Sequence, residues 1–359
     1  MKNIYFTVGP SQLYPTTTKH FLKAVTTEVG SMNHRGPLFA QLFKDLETNL
    51  KKLLAVPADY KIFFLGSGTE GMERIIENTV EKTSFHFVNG AFSKKFYTIA
   101  QELKKQPLKH EVPMGEGFDI TKVDIPETAE VICFTQSETS IGTLVPEEDI
   151  ETIKKVHPDK LIAVDTVSSM PYVNFNYSLV DMVFFSVQKG FGLPPGLGVI
   201  IVSPKALEKA AMLQEKGLNI GTYHNFPSLL KWAEKGQTPT TPPVMEIYVL
   251  NEVIKDMLKK NIVNIRKETK IKAKLLYDFF DNHKHWKPFV KNPKFRSQTV
   301  AVIQMGKDTK PVDEYLRKHN IIVGRGYGDL KEEQFRIANF PALTITQTKR
   351  LITLLKRYK

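Results

Sequence analysis

The stretch Asp181–Val202, DMVFFSVQKGFGLPPGLGVIIV, constrains the fold more than any other part of this chain. It opens on an apolar run rich in Val and Phe and closes on another, Val199–Val202. Between them lie Gly190, Gly192, Pro194, Pro195, Gly196 and Gly198. Short apolar runs bounded by Gly and Pro read as buried strands joined by a loop. Lys189 stands where the first strand gives way to that loop. Apolar surroundings oppose its charge, so its pKa is expected to fall from about 10.4 toward the range where the free amine is a nucleophile. The adjacent glycines let a bulky group approach the backbone closely. Upstream, LIAVDTVSS (Leu161–Ser169) reads as another apolar strand, ending on Asp165. One strand–crossover–strand unit separates Asp165 from Lys189, so both can project from the same edge of one sheet.

An acid and a desolvated lysine at neighbouring strand ends suit pyridoxal phosphate chemistry, the lysine binding the cofactor covalently and the acid partnering its ring nitrogen. A buried Lys–Asp ion pair, or a lysine that snorkels to the surface, accounts for the two residues equally well.

The rest of the chain alternates in the same way. Apolar residues at helical spacing from Phe39 to Leu54 predict an amphipathic helix. KIFFLGSG is a strand breaking into glycine, TEGMERIIENTV a helix, SFHFVNGAF and AEVICFTQSETSIG strands running into loops, and EEDIETIKKV a helix. The alternation predicts an α/β fold whose largely parallel sheet carries helices on both faces, with the ligand site beyond the strand C-termini. GQTPTTPP (236–243) reads as a turn-rich linker, and a long helical pattern from Met245 to about Asp281 leads into a smaller unit. The expected division is a large domain, 13–250, and a smaller C-terminal α+β domain, 251–359, onto which residues 1–12 fold back. A chain of 359 residues fits two domains.

The formal net charge of +12 raises nucleic acid, a membrane surface or anionic small molecules as partners. The lysines are spread over helical segments such as LKKNIVNIRKETKIKAKLL, which reads as a solvated face. No zinc-finger, RRM-like or helix-turn-helix pattern is present, so an anionic substrate or cofactor is favoured over nucleic acid. No stretch approaches a membrane span and no apolar leader of signal-peptide type opens the chain, so the cytoplasm is expected. The single cysteine, Cys133, excludes an internal disulfide and a multi-cysteine metal site.

Several further clusters fall at the predicted strand ends. Gly66, Ser67, Gly68 and Thr69 lie between a strand and a helix start, where free N–H groups and the helix dipole bind phosphate. Helix capping by Ser67 or Thr69 explains the same residues. Phe92 follows a strand and a glycine, placed to stack on a flat aromatic cofactor or to pack in the core. Thr139 offers a hydroxyl at another strand end, where turn chemistry also accounts for it. His34 and Arg35 precede a Gly-Pro turn. Arg336 lies within an apolar strand, where an arginine needs a carboxylate or phosphate partner, from a substrate or from the protein. Arg325, flanked by glycines in VGRGYG, can reach an anion or sit in a solvated turn.

In this order, GPSQLYP, MNHRG, GSGTEGME, GAFSKK, SETSIG, VDTVSS, VQKG, TTPP and FRIANFP, the chain resembles the class V aminotransferases nearly end to end. Within them it is most similar to the phosphoserine branch and its alanine/serine–glyoxylate relatives. The resemblance implies the type I fold of pyridoxal-phosphate aminotransferases, a mostly parallel mixed sheet with a smaller domain. It implies pyridoxal 5'-phosphate on Lys189, with Asp165 at the ring nitrogen, Phe92 on the ring face and Thr139 near the phenolic oxygen. Gly68, Thr69 and Gln188 would hold the cofactor phosphate, together with Thr240 and Thr241 from the other subunit of a homodimer with shared sites. Arg336 would bind the α-carboxylate of amino-acid and 2-oxo-acid substrates, and His34 and Arg35 their side-chain anion. The phosphoserine branch usually carries a His-Arg pair shortly before the carboxylate arginine; this chain has GRGYGDLKEEQFR, with Arg325 as the only basic residue of that kind. Cysteine desulfurases share the fold but need a loop cysteine, and Cys133 lies within an apolar strand.

Overall fold

In the strand Leu161–Asp165, Ile162 and Val164 pack into one hydrophobic core while Leu161 and Ala163 pack into another. The same alternation holds in Met182–Ser186, where Val183 and Phe185 join the first core and Met182 and Phe184 the second. A sheet apolar on both faces requires a helical layer on each. The computed structural model, which describes residues 2–358, has both layers. Helices Pro37–Leu54, Glu147–Val156 and Val244–Lys260 cover one face; Gly68–Thr79, Ala91–Glu102 and Pro204–Glu215 cover the other.

The seven-stranded sheet runs in the order Lys61–Leu65, Gly198–Val202, Met182–Ser186, Leu161–Asp165, Val131–Thr135, Ser84–Val88 and Leu108–Glu111. Gly198–Val202 is antiparallel to both its neighbours and the other pairings are parallel. The sheet is therefore mixed and mostly parallel, and the strands other than Gly198–Val202 end at one edge. Asp165 pairs with Phe184, two residues before the end of the neighbouring strand, so Asp165 and Lys189 emerge side by side. The exposed, polar strand Leu108–Glu111 carries no apolar signal and escapes a reading by hydropathy.

The smaller five-stranded sheet pairs Ile4–Phe6 in parallel with Ile321–Arg325, so the first residues do fold back onto the C-terminal unit. The expected single helix from Met245 to Asp281 is two, Val244–Lys260 and Ile262–Asp281. They break at Asn261, at φ +70°, whose side chain accepts a bond from Val263 N at 2.9 Å and so caps the second helix. Val244–Lys260 and Ile265 belong to the large core, whereas Ala273, Leu276 and Phe280 belong to the small one. We propose that the domain boundary lies within Ile262–Asp281, later than residue 250. Among the described residues, no helix is long and apolar enough to cross a membrane.

Candidate active site

The strand ends converge on a cavity of about 300 Å³ lined by Gly68, Thr69, Phe92, Thr139, Asp165, Gln188, Lys189 and Arg336. A larger cavity of about 670 Å³, between the Met114–Gly117 loop and Phe289–Phe295, has Glu116, Lys287 and Lys291 as its charged residues. The chemistry is in the smaller one.

Lys189 is 6% exposed. Its Nζ donates to Thr139 Oγ1 at 2.9 Å and lies 5.4 Å from the centre of the Phe92 ring. Burial lowers its pKa, opposed by the charges of Asp165 and Glu138. The N-terminal segment closes over the lysine stem: a Cβ on Gly9, which sits at φ +145°, would stand 2.8 Å from Lys189 Cε. Asp165 accepts from Val167 N through Oδ1 at 2.9 Å, and among the described residues nothing donates to its other carboxylate oxygen. Burial raises its pKa above the usual carboxylate range, with the Val167 N–H and Lys189 pulling it back. Asp165 and Lys189 do not form a direct ion pair within 4.0 Å. The simple buried pair weighed from sequence is absent.

The helix Gly68–Thr79 starts at the cavity wall, with Ser67 accepting from Glu70 N at 3.1 Å. Gly68 N donates to Ser186 Oγ at 2.7 Å, and a Cβ there would stand 2.5 Å from Val167 Cγ2. The capping reading of this turn holds for Ser67, and Gly68 and Thr69 line the cavity at the helix N-terminus. Lys95 Nζ stands 3.5 Å from Thr69 Oγ1 and adds positive charge there.

Phe92 is held by a residue the sequence reading passed over. Glu138 is fully buried, and its Oε2 accepts from Phe92 N at 3.0 Å and Ser93 N at 2.8 Å. Its Oε1 accepts from Ser140 N at 3.0 Å and Ser140 Oγ at 2.7 Å. Ser140 Oγ in turn accepts from Ala91 N at 3.0 Å. The first three N–H groups of the helix Ala91–Glu102 are thus satisfied by the turn that presents Thr139 to Lys189. SETS is a cap for another element, and its signal is a glutamate inside an otherwise uncharged apolar stretch.

Arg336 donates through Nε to the Arg325 carbonyl at 2.8 Å, and among the described residues no carboxylate pairs with it. The salt-bridge alternative for Arg336 therefore fails within this chain, and its guanidinium faces the cavity. Arg325 departs from expectation. Its side chain is paired with Glu332 and is not part of the cavity wall. Between the two stands Tyr327, unremarked from sequence, which lines the cavity 5.4 Å from both Phe92 and Arg336.

His34, Arg35, Thr240 and Thr241 lie outside this cavity of their own chain. Arg35 is engaged with the linker: it donates to the carbonyls of Thr238 at 2.6 Å and Pro239 at 3.0 Å and stacks 3.9 Å over Trp232. Carbonyls and an aromatic face, not a free anion site, surround its guanidinium. Thr238 Oγ1 donates to the Thr240 carbonyl at 2.7 Å, and Thr240 and Thr241 are exposed. Cys133 is buried in its strand, where burial raises its thiol pKa.

A lysine, an acid, a helix start and an arginine meeting at strand ends find their match in known proteins. The aminotransferase class-V family model matches residues 6–328. The chain belongs to the class V aminotransferase family. A solved phosphoserine aminotransferase from Cytophaga hutchinsonii is 45% identical, with a TM-score of 0.97, covering 99% of this chain and 98% of that one. A phosphoserine aminotransferase of Corynebacterium glutamicum is 27% identical over 350 residues, 96% of this chain and 92% of its own. An alanine–glyoxylate aminotransferase from Nostoc shares the fold with a TM-score of 0.84 at 23% identity, covering 99% of this chain and 95% of that one. As a class V aminotransferase, the chain is a transaminase.

Proposed function

We propose that this class V aminotransferase moves the amino group of phosphoserine to 2-oxoglutarate, with pyridoxal 5'-phosphate as its cofactor. The observation that carries the reading is the placement of Lys189 and the unpartnered Asp165 oxygen in one buried cavity, with the Arg336 guanidinium open beside them. The residues fit the cofactor. Asp165 has an acceptor to spare for a ring N–H, Phe92 offers a ring face, and the start of Gly68–Thr79, with Thr69 and Gln188, suits a phosphate. The phosphoserine assignment is supported by the relative from Cytophaga hutchinsonii, at 45% identity over nearly the whole chain.

When bound, pyridoxal 5'-phosphate supplies the aldehyde that captures the amino group and the ring that accepts electrons from the α-carbon. Lys189 Nζ, its pKa lowered by burial to about 8, would take the α-proton as the free amine and deliver it to the carbon that carried the aldehyde; it donates to Thr139 Oγ1 at 2.9 Å. Asp165 would hold a proton on the ring nitrogen. Arg336 grips the α-carboxylate and so orients the bond to be broken. Phe92 and Tyr327 line the same cavity.

We place the enzyme as a homodimer with shared sites in the cytoplasm. The exposed Thr240–Thr241 segment, pinned from behind by Arg35 and Thr238, supports sharing, because it lies outside the active-site cavity of its own chain. Leu38, at 71% exposure beside Arg35, supports a covered face there. The test is a turnover panel. Phosphoserine with 2-oxoglutarate should exceed alanine or serine with glyoxylate, and borohydride should fix the cofactor on Lys189. Efficient alanine–glyoxylate turnover with phosphoserine ignored would transfer the enzyme to the glyoxylate branch.

A further inference from the structure

The residues between the strands Ile321–Arg325 and Gln334–Ala338 form a braced hairpin tip rather than a loose loop. Gly326 N donates to the Gln334 carbonyl at 2.7 Å, and Leu330 N donates to the Tyr327 carbonyl at 3.1 Å. A Cβ on Gly326 would stand 2.0 Å from Leu330 O, and Gly328 sits at φ +55°, so the turn is built around two glycines. Arg325 and Glu332 clamp its two sides through their ion pair. The tip carries Tyr327 across from the small domain to the Phe92 ring of the large one, 5.4 Å between centroids. The Arg336 guanidinium lies 5.4 Å from the same tyrosine ring, and its Nε donates to the Arg325 carbonyl at 2.8 Å.

We propose that Tyr327 and the Arg325–Glu332 brace are positioning elements that fix the plane of Arg336 before a substrate carboxylate arrives. Two contacts define that plane, one backbone carbonyl and one aromatic face, and both belong to the hairpin tip. Among the described residues nothing accepts from the terminal nitrogens, which leaves them for the ligand. Arg325 thus serves the site through its main chain and its ion pair with Glu332, without touching the substrate anion itself. The consequence is that Tyr327 acts on every carboxylate substrate alike. The donor and the 2-oxo-acid acceptor share this arginine, so both should feel its misorientation equally.

The inference rests on Arg336 as the carboxylate site proposed above, and its test is independent of which donor is used. Tyr327→Phe, Tyr327→Ala and Glu332→Gln would be assayed as holoenzymes. If the wild type ignores phosphoserine, the donor reading fails there, and the comparison is run with the amino acid it accepts. In Tyr327→Ala the KM values of donor and acceptor should both rise about fivefold, the scale of one lost cation–π contact, with kcat within about twofold. The Kd of maleate, a dicarboxylate without an amino group, should rise by the same factor in calorimetry. Tyr327→Phe, which keeps the ring, should match the wild type, and Glu332→Gln should fall between. Unchanged KM values in Tyr327→Ala overturn the proposal. So do a loss confined to the donor, a fall in kcat alone, or a Tyr327→Phe loss as large as that of Tyr327→Ala.

Discussion

Replacing Glu138 by Gln should unseat the helix that carries Phe92. Glu138 offers one carboxylate oxygen to the N–H groups of Phe92 and Ser93 and the other to Ser140. A glutamine can keep one side of this arrangement. With its carbonyl on Ser140, its NH₂ faces two N–H donors that then have no acceptor. Each lost charge-assisted bond is worth about 1.5–3 kcal/mol, and the anion at a helix N-terminus adds about 0.3–1 kcal/mol. Relief from burying a charge offsets part of this, leaving a destabilisation of about 3 kcal/mol. For a unit of this size that corresponds to roughly 6–12 °C in Tm of the cofactor-free protein. Gly90 supplies a control, because a Cβ there would stand 2.4 Å from Glu138 Cγ and push the carboxylate away. Gly90→Ala should therefore mimic Glu138→Gln, and the double variant should lose less than the sum of the two. The scanned quantity is Tm for wild type, both single variants and the double. A Glu138→Gln shift below about 1 °C, or strict additivity, would refute the capping argument.

Two further outcomes follow from the site. Lys189→Met should abolish transamination yet stabilise the cofactor-free protein in chemical denaturation, by an amount that shrinks with rising pH. The folded-state pKa of Lys189 lies below its unfolded value, so the native state binds fewer protons and wild-type stability rises with pH between that lowered value and about 10.4. A gap that widens over this window would contradict the sign of the shift. Mixing Lys189→Ala with Thr241→Ala subunits should restore roughly a quarter of wild-type activity, since half the dimers are mixed and each then has one intact site of two. Proven mixed dimers without activity would show that Thr241 is not shared.

Much of the fold was legible because it obeys local rules. The central strands are short apolar runs ending in Gly, Ser or Asp, and their helices carry apolar stripes at helical spacing. Periodicity failed where the signal is not hydrophobic. Asn261 breaks one apolar stripe into two helices by a single left-handed residue, and the spacing of the leucines and isoleucines on either side hides it. The strand Leu108–Glu111 sits at an edge with its side chains in solvent, so it needs no apolar pattern at all.

The site divides along a different line. Lys189, Asp165 and Thr139 announce themselves because each is a polar residue at the end of a buried run, which is a local property of the chain. Glu138 and Tyr327 both act on Phe92, far along the sequence, and only the tertiary fold brings them together. Basic residues are hard to read for the same reason. The resemblance implies anion contacts for Arg35 and Arg325, and within one chain a guanidinium also satisfies itself with whatever acceptors the fold provides. For Arg35 these are the linker carbonyls and Trp232, and for Arg325 the carboxylate of Glu332. Arg336 escapes such capture because it lies in a strand whose neighbours in register are Val302 and Gly324, neither of which carries an acceptor side chain. An arginine is left open to a ligand where the sheet withholds a partner, and that is a property of pairing rather than of sequence.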